Sequence, residues 1–154
     1  MKVNIYLETD KQTQEYTWRK YGYVLEAMCG RRPPVTRVGF GSVEGTYHKC
    51  NLQALAEALA QFRKECEVCI HTKDAFVAAR ILKIDEMAAA DFKDTKGKPI
   101  KNAQEWESIC RKVSECTYAR IPIPKYSPRS LAAKDYEDLV TEYIAELNIS
   151  GGEK

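Results

Sequence analysis

The chain has 154 residues, 44% hydrophobic and 30% charged, a balance that excludes global disorder and fits a single soluble domain. Lys and Arg number 24 against 22 Asp and Glu, so the net charge of +2 neither demands nor excludes a polyanionic partner, and any nucleic-acid case has to rest on local clusters. No apolar run approaches the roughly 18–20 residues that span a bilayer, and the N-terminus shows no secretory pattern. With 6 cysteines and no such signal, reduced thiols and a cytoplasmic location are expected.

Val3–Leu7 alternates Val, Ile and Leu with Asn and Tyr, which predicts a half-buried strand. After a polar turn, Tyr16–Ala27 and Val35–Tyr47 predict two further strands around the Arg31-Arg32-Pro33-Pro34 break, an antiparallel meander. Asn51–Lys64 changes period: Leu52, Leu55, Ala56, Leu59 and Phe62 form one helical stripe with Asn51 near the cap. Val68–Thr72 predicts a strand and Lys73–Leu82 a short helix, with a short helix and loop over Ile84–Lys96. Asn102–Cys116 carries Trp106, Ile109, Cys110 and Val113 at helical spacing, with Asn102 placed to cap it. Tyr118–Ile123 predicts a last strand and Ser130–Leu147 an amphipathic helix. One domain over residues 1–148 and a frayed tail over 149–154 follow.

Several residues invite chemistry. Cys66 and Cys69 have CxxC spacing, but within a strand residues three apart point to opposite faces, so buried thiols are expected instead of a metal site. Trp18, Arg19 and Lys20, with Tyr16 and Tyr21 alongside, pair basic groups with aromatics, a pattern that tracks phosphates and stacks bases or else simply makes a solvated strand. Lys98, Lys101 and Asn102 belong to the basic loop Gly97-Lys98-Pro99-Ile100-Lys101-Asn102 that leads into the Trp106 helix. His71, at a strand end, is expected to be a hydrogen-bonded structural residue, and Trp106 a packing residue.

The element order βββ-α-β-α-(α)-α-β-α resembles the ribonuclease H fold of the small bacterial and retroviral type over roughly Lys2 to Leu147. Val3-Asn4-Ile5-Tyr6-Leu7-Glu8 looks like the first strand, Tyr21-Gly22-Tyr23 like the glycine-bearing second, and Leu52-Gln53-Ala54-Leu55 like the first helix. Ile70-His71-Thr72-Lys73-Asp74 is similar to the strand that ends in Thr-Asp-Ser. Lys98-Pro99-Ile100-Lys101-Asn102 with Trp106 is similar to the Lys-Pro-Val-Lys-Asn loop and its helix. The resemblance implies an α/β domain built on a five-stranded mixed sheet, an antiparallel meander followed by parallel strands, with helices on both faces.

Enzymes of that family hold two divalent metals with four carboxylates. Carried onto this chain, the first acid falls on Glu8, the helix acid on the neutral Gln53, the Thr-Asp-Ser acid on the cationic Lys73, and the last on Asp135 or Glu137. The family's loop histidine has no counterpart in Pro122–Ser127. The resemblance therefore implies a catalytically degenerate domain with no metal cofactor, in which Lys73 pairs with Glu8 and a final-helix acid while Gln53 satisfies a remaining lone pair. Such a domain would bind nucleic acid, an RNA–DNA hybrid or another duplex, through Trp18, Arg19, Lys20, Lys98, Lys101 and Asn102, or regulate a protein partner. The alternatives are a Mg- or Mn-dependent ribonuclease H and a protein-interaction adaptor from a phage or mobile element.

Overall fold

The structure, a computed structural model, describes residues 2–62 and 66–115. Strands β1 (Lys2–Thr9), β2 (Thr17–Cys29) and β3 (Arg32–Gly45) form the expected meander, and β4 (Glu67–His71) joins β1 in parallel. Their order is β3-β2-β1-β4, so the sheet is mixed. The predicted fifth strand and final helix, and with them Asp135 and Glu137, lie outside the described residues.

Alternation along β1 decides which face holds the core. Val3, Ile5 and Leu7 pack into it, together with Tyr21, Tyr23 and Leu25 of β2 and Val68 and Ile70 of β4. Asn4, Tyr6 and Glu8 take the opposite face by strand parity. The helix α1 (Tyr47–Leu59) lays Leu52, Leu55 and Leu59 onto the core face, and α4 (Ala103–Glu115) adds Trp106, Ile109 and Val113. These are the stripes that the sequence periodicity predicts. Cys66 belongs to this core and Cys69 does not, although both are buried, as residues three apart on a strand require.

Two details depart from the expected boundaries. The helix α1 starts four residues before the predicted Asn51, because the Thr46 hydroxyl accepts the Lys49 N–H and caps it there. The strand β3 runs through Pro33 and Pro34, which an edge strand tolerates because no ladder donor is needed on its outer side.

The β2–β3 ladder places Tyr21 opposite Gly41 and Tyr23 opposite Gly39. A Cβ at Gly41 would lie 2.3 Å from the Tyr21 hydroxyl oxygen, and one at Gly39 would lie 2.2 Å from the Tyr23 ring. The glycines thus provide the floor on which both phenols lie. From there Tyr21 donates to Glu57 of α1 at 2.5 Å, tying helix to sheet. Burial and the Glu57 carboxylate hold the Tyr21 phenol well above the usual range.

Candidate functional site

The parallel register pairs Tyr6 with His71. Two residues further along, Glu8 on β1 and Lys73 just past β4 therefore emerge side by side at the carboxyl ends of the two strands. Lys73 Nζ lies 3.5 Å from Glu8 Oε2, with Glu8 at 6% relative exposure and Lys73 at 35%. The expected ion pair is formed. Open α/β sheets place their ligand sites at such carboxyl ends.

Asp74 follows Lys73 and is 1% exposed. Its Oδ1 accepts the backbone N–H groups of Phe76 and Val77, which caps α2 (Ala75–Ile81). Its Oδ2 accepts Asn51 Nδ2 at 3.3 Å and meets His48 Nδ1 at 2.7 Å. Asn51 also donates to the Tyr47 carbonyl. The Tyr47 phenol is pushed up to about 12, first by burial and then by the negative charges of Asp74 and Glu8, so it senses both carboxylates.

Gln53 is not part of this group. It donates to Glu57 at 2.9 Å and lines a cleft between α1 and α4 with Gln104, Glu105 and Ser108. The expectation that Gln53 completes the Lys73 network is corrected: Asn51 and His48 are the α1 side chains that reach Asp74, just past the β4 end. Two residues along a helix turn the side chain by roughly 200°, so Asn51 and Gln53 cannot share a face.

Arg19 is corrected as well. It is fully buried, with Nε donating to the Gly45 carbonyl at 2.8 Å and the guanidinium nitrogens to the carbonyls of Lys11, Thr13 and Glu15. Its donors fasten the β1–β2 connection to the end of β3 and are not available to a phosphate. Trp18 beside it is half exposed, and Lys20 is partly exposed, with its N–H bonded to Asp10.

Lys98 and Lys101 are exposed on a loop organised by Asp94, whose Oδ1 accepts the N–H groups of Lys96 and Lys98. Gly97 turns this loop at φ 81°. Asn102 adopts φ 58°, a left-handed conformation that asparagine tolerates, and its carbonyl accepts the Trp106 N–H that opens α4. The loop thus presents lysines while the Asp94 carboxylate is spent on backbone donors.

His71 is buried, stacked on Tyr6 at 4.5 Å, with Nε2 at 3.3 Å from Asn4 Oδ1, and Asn4 donates to the buried Glu26. This is the structural role expected of it. His48, Asn51 and Tyr47 are site members that the sequence did not single out, and the His-X-X-Asn step, His48 to Asn51 on one helix face, was the available signal.

Among the described residues, the donors at this strand end do not fit a divalent cation. An ammonium stands against the Glu8 oxygen, and Asp74 Oδ2 already meets two nitrogen groups. A cation entering there meets a repulsion of roughly 4 kcal/mol per unit charge at close range under intermediate screening. Among the described residues, no group of three or more His, Cys, Asp or Glu side chains is arranged to hold a metal ion.

Known proteins share this architecture. LC9-RNase H1, described as a type 1 RNase H with the type 2 active-site motif, superposes with a TM-score of 0.70 over 99% of this chain and 74% of its own, at 16% identity. The chain has the ribonuclease H fold. A foamy viral protease-reverse transcriptase, solved in complex with an RNA/DNA hybrid, matches with a TM-score of 0.64 over 94% of this chain and 19% of its own, at 14% identity. In sequence, the chain is similar to the ribonuclease H of Rhizobium etli, 31% identical over 91 residues that cover 58% of this chain and 54% of that enzyme. The ribonuclease H of Rhizobium johnstonii is similar at 30% over the same length. The chain thus spans about half the length of the curated relatives it matches, and that similarity is to the ribonuclease H family. No protein-family model matches it.

Proposed function

We propose that this ribonuclease H-like domain binds nucleic acid, with an RNA–DNA hybrid as its first candidate, and does not hydrolyse it by two-metal chemistry. The observation that carries this reading is the Lys73–Glu8 ion pair at the carboxyl ends of β4 and β1, where the family resemblance implies two metal-holding acids. An ammonium in that position lowers the negative charge that would attract divalent ions. The exposed lysines 98 and 101, with the half-exposed Trp18, supply backbone contacts and a stacking surface.

Fluorescence anisotropy with a labelled RNA–DNA hybrid at several salt concentrations tests binding. Affinity is expected to fall with salt, and Lys98→Ala to lower the slope of log K against log salt by about one. Salt-independent or absent binding would leave the protein-adaptor alternative in its place. Metal-dependent cleavage would return the domain to the nuclease alternative.

A further inference from the structure

The basic loop is a hairpin closed by its own backbone. After the short helix α3 (Ile84–Ala89), Asp91 and Phe92 both adopt φ 56°, and the Phe92 N–H donates to the Met87 carbonyl at 2.9 Å. A left-handed backbone is uncommon for an aromatic residue, and here the Phe92 side chain is held against the core. Ile100 packs there too, and its N–H donates to the Phe92 carbonyl at 3.0 Å, which closes the neck of the hairpin. Lys93 then bridges Pro99, and the Asp94 N–H donates to the Lys98 carbonyl at 2.7 Å.

Beyond that rung, Asp94 organises the turn. Its carbonyl accepts the Gly97 N–H at 3.0 Å, and its Oδ1 accepts the N–H groups of Lys96 at 2.8 Å and Lys98 at 2.9 Å. Lys93, Lys96, Lys98 and Lys101 stand exposed around it, with Asp91 at 3.6 Å from the Lys93 ammonium. Two effects of the Asp94 carboxylate on an approaching polyanion therefore oppose each other. Its charge repels phosphate, but a screened surface charge is worth only roughly a factor of two to five in affinity. Its Oδ1 keeps the turn ordered, and ordering even one backbone residue on binding would weaken affinity by about tenfold or more. Order outweighs charge.

We propose that Asp94 is a positioning residue for hybrid binding, an acid whose presence among the lysines strengthens the grip on a polyanion. It holds the Lys96 and Lys98 backbone in one shape before the duplex arrives, so binding does not have to impose that shape. This inference rests on the nucleic-acid reading above and deepens it: affinity depends on how the lysines are held as well as on their number.

The test combines anisotropy with a labelled RNA–DNA hybrid at several salt concentrations and amide exchange of Lys96 and Lys98 measured by NMR. Asp94→Ala is expected to bind about tenfold more weakly although it carries one negative charge fewer. Its slope of log K against log salt should be unchanged, because every lysine remains, and the two amides should exchange faster. Asp94→Asn keeps an Oδ1 acceptor for both N–H groups and removes the charge, so it should bind more tightly than the unaltered chain, with both amides protected. Asp94→Ala binding as tightly as Asp94→Asn, or Asp94→Asn binding as weakly as Asp94→Ala, would overturn this inference while leaving nucleic-acid binding intact. Absence of hybrid binding by the unaltered chain at every salt concentration would overturn both readings.

Discussion

At the scale of single residues, the decisive feature is an ammonium beside a carboxylate at one strand end. Lys73 places an ammonium 3.5 Å from Glu8, and Asn51 gives Asp74 an amide donor. Reversing both polarities should restore an oxygen-rich site. Lys73→Asp with Asn51→Glu is expected to bind Mg²⁺ at least about tenfold more tightly than the unaltered chain in titration calorimetry. Gln53→Glu in place of Asn51→Glu should not, because that side chain faces α4. Equal affinity in both doubles would contradict the assignment of Asn51. Arg19 supplies the second residue-scale expectation. Lysine has no fork to reach the carbonyls of Gly45, Thr13 and Glu15 together, so Arg19→Lys should cost about 3 kcal/mol in urea denaturation. Little change there would mean that Arg19 is not the fastener of this loop.

At the scale of elements, the meander and α1 are locked through tyrosines lying on glycines. A methyl group at Gly41 would collide with the Tyr21 hydroxyl, which Glu57 holds in place, so Gly41→Ala should lower stability by about 1–3 kcal/mol. Chemical denaturation measures it, and a neutral result would mean that the phenol moves freely. Much of this architecture was legible in the sequence. Periodicity marks the inward faces of α1 and α4, strand parity separates Cys66 from Cys69, and the chain order places Lys73 near Glu8 because adjacent parallel strands end together. Other features were not legible for definable reasons. The Gly45-Thr46-Tyr47 stretch has strand-like composition, and only the Thr46 hydroxyl bond to Lys49 shows that the helix has begun. Gln53 and Asn51 differ by about half a turn, so a motif aligned two residues off selects the opposite helix face. Arg19 is a surface residue by type, and its burial follows from carbonyls on a loop whose path composition does not define.

At the scale of the whole molecule, the described residues include no helix long and apolar enough to cross a membrane. Stability should fall in alkali. The Tyr47 phenol has an ordinary value of 10.0 and is pushed up to about 12 in the folded chain. Below the first value it is neutral in both states. Above it the unfolded chain releases a proton that the folded chain retains, so the contribution is lost as pH rises through the second value. Cys50, pushed up from 9.0 to about 12 by burial and then by the Asp10 charge, acts in the same direction from a lower starting pH. Tyr47→Phe should flatten part of that decline in urea midpoints measured between pH 9 and pH 12. An unchanged decline would assign it to other groups.

The central claim, an inherited nucleic-acid fold whose strand-end acids no longer recruit metals, meets its most direct test in one cleavage assay. A labelled RNA–DNA hybrid is incubated with the intact chain in Mg²⁺ and, separately, in Mn²⁺, and the products are resolved by length. The account predicts a hybrid that remains uncut in both. RNA-strand cleavage that needs the metal and disappears in Glu8→Gln would contradict it.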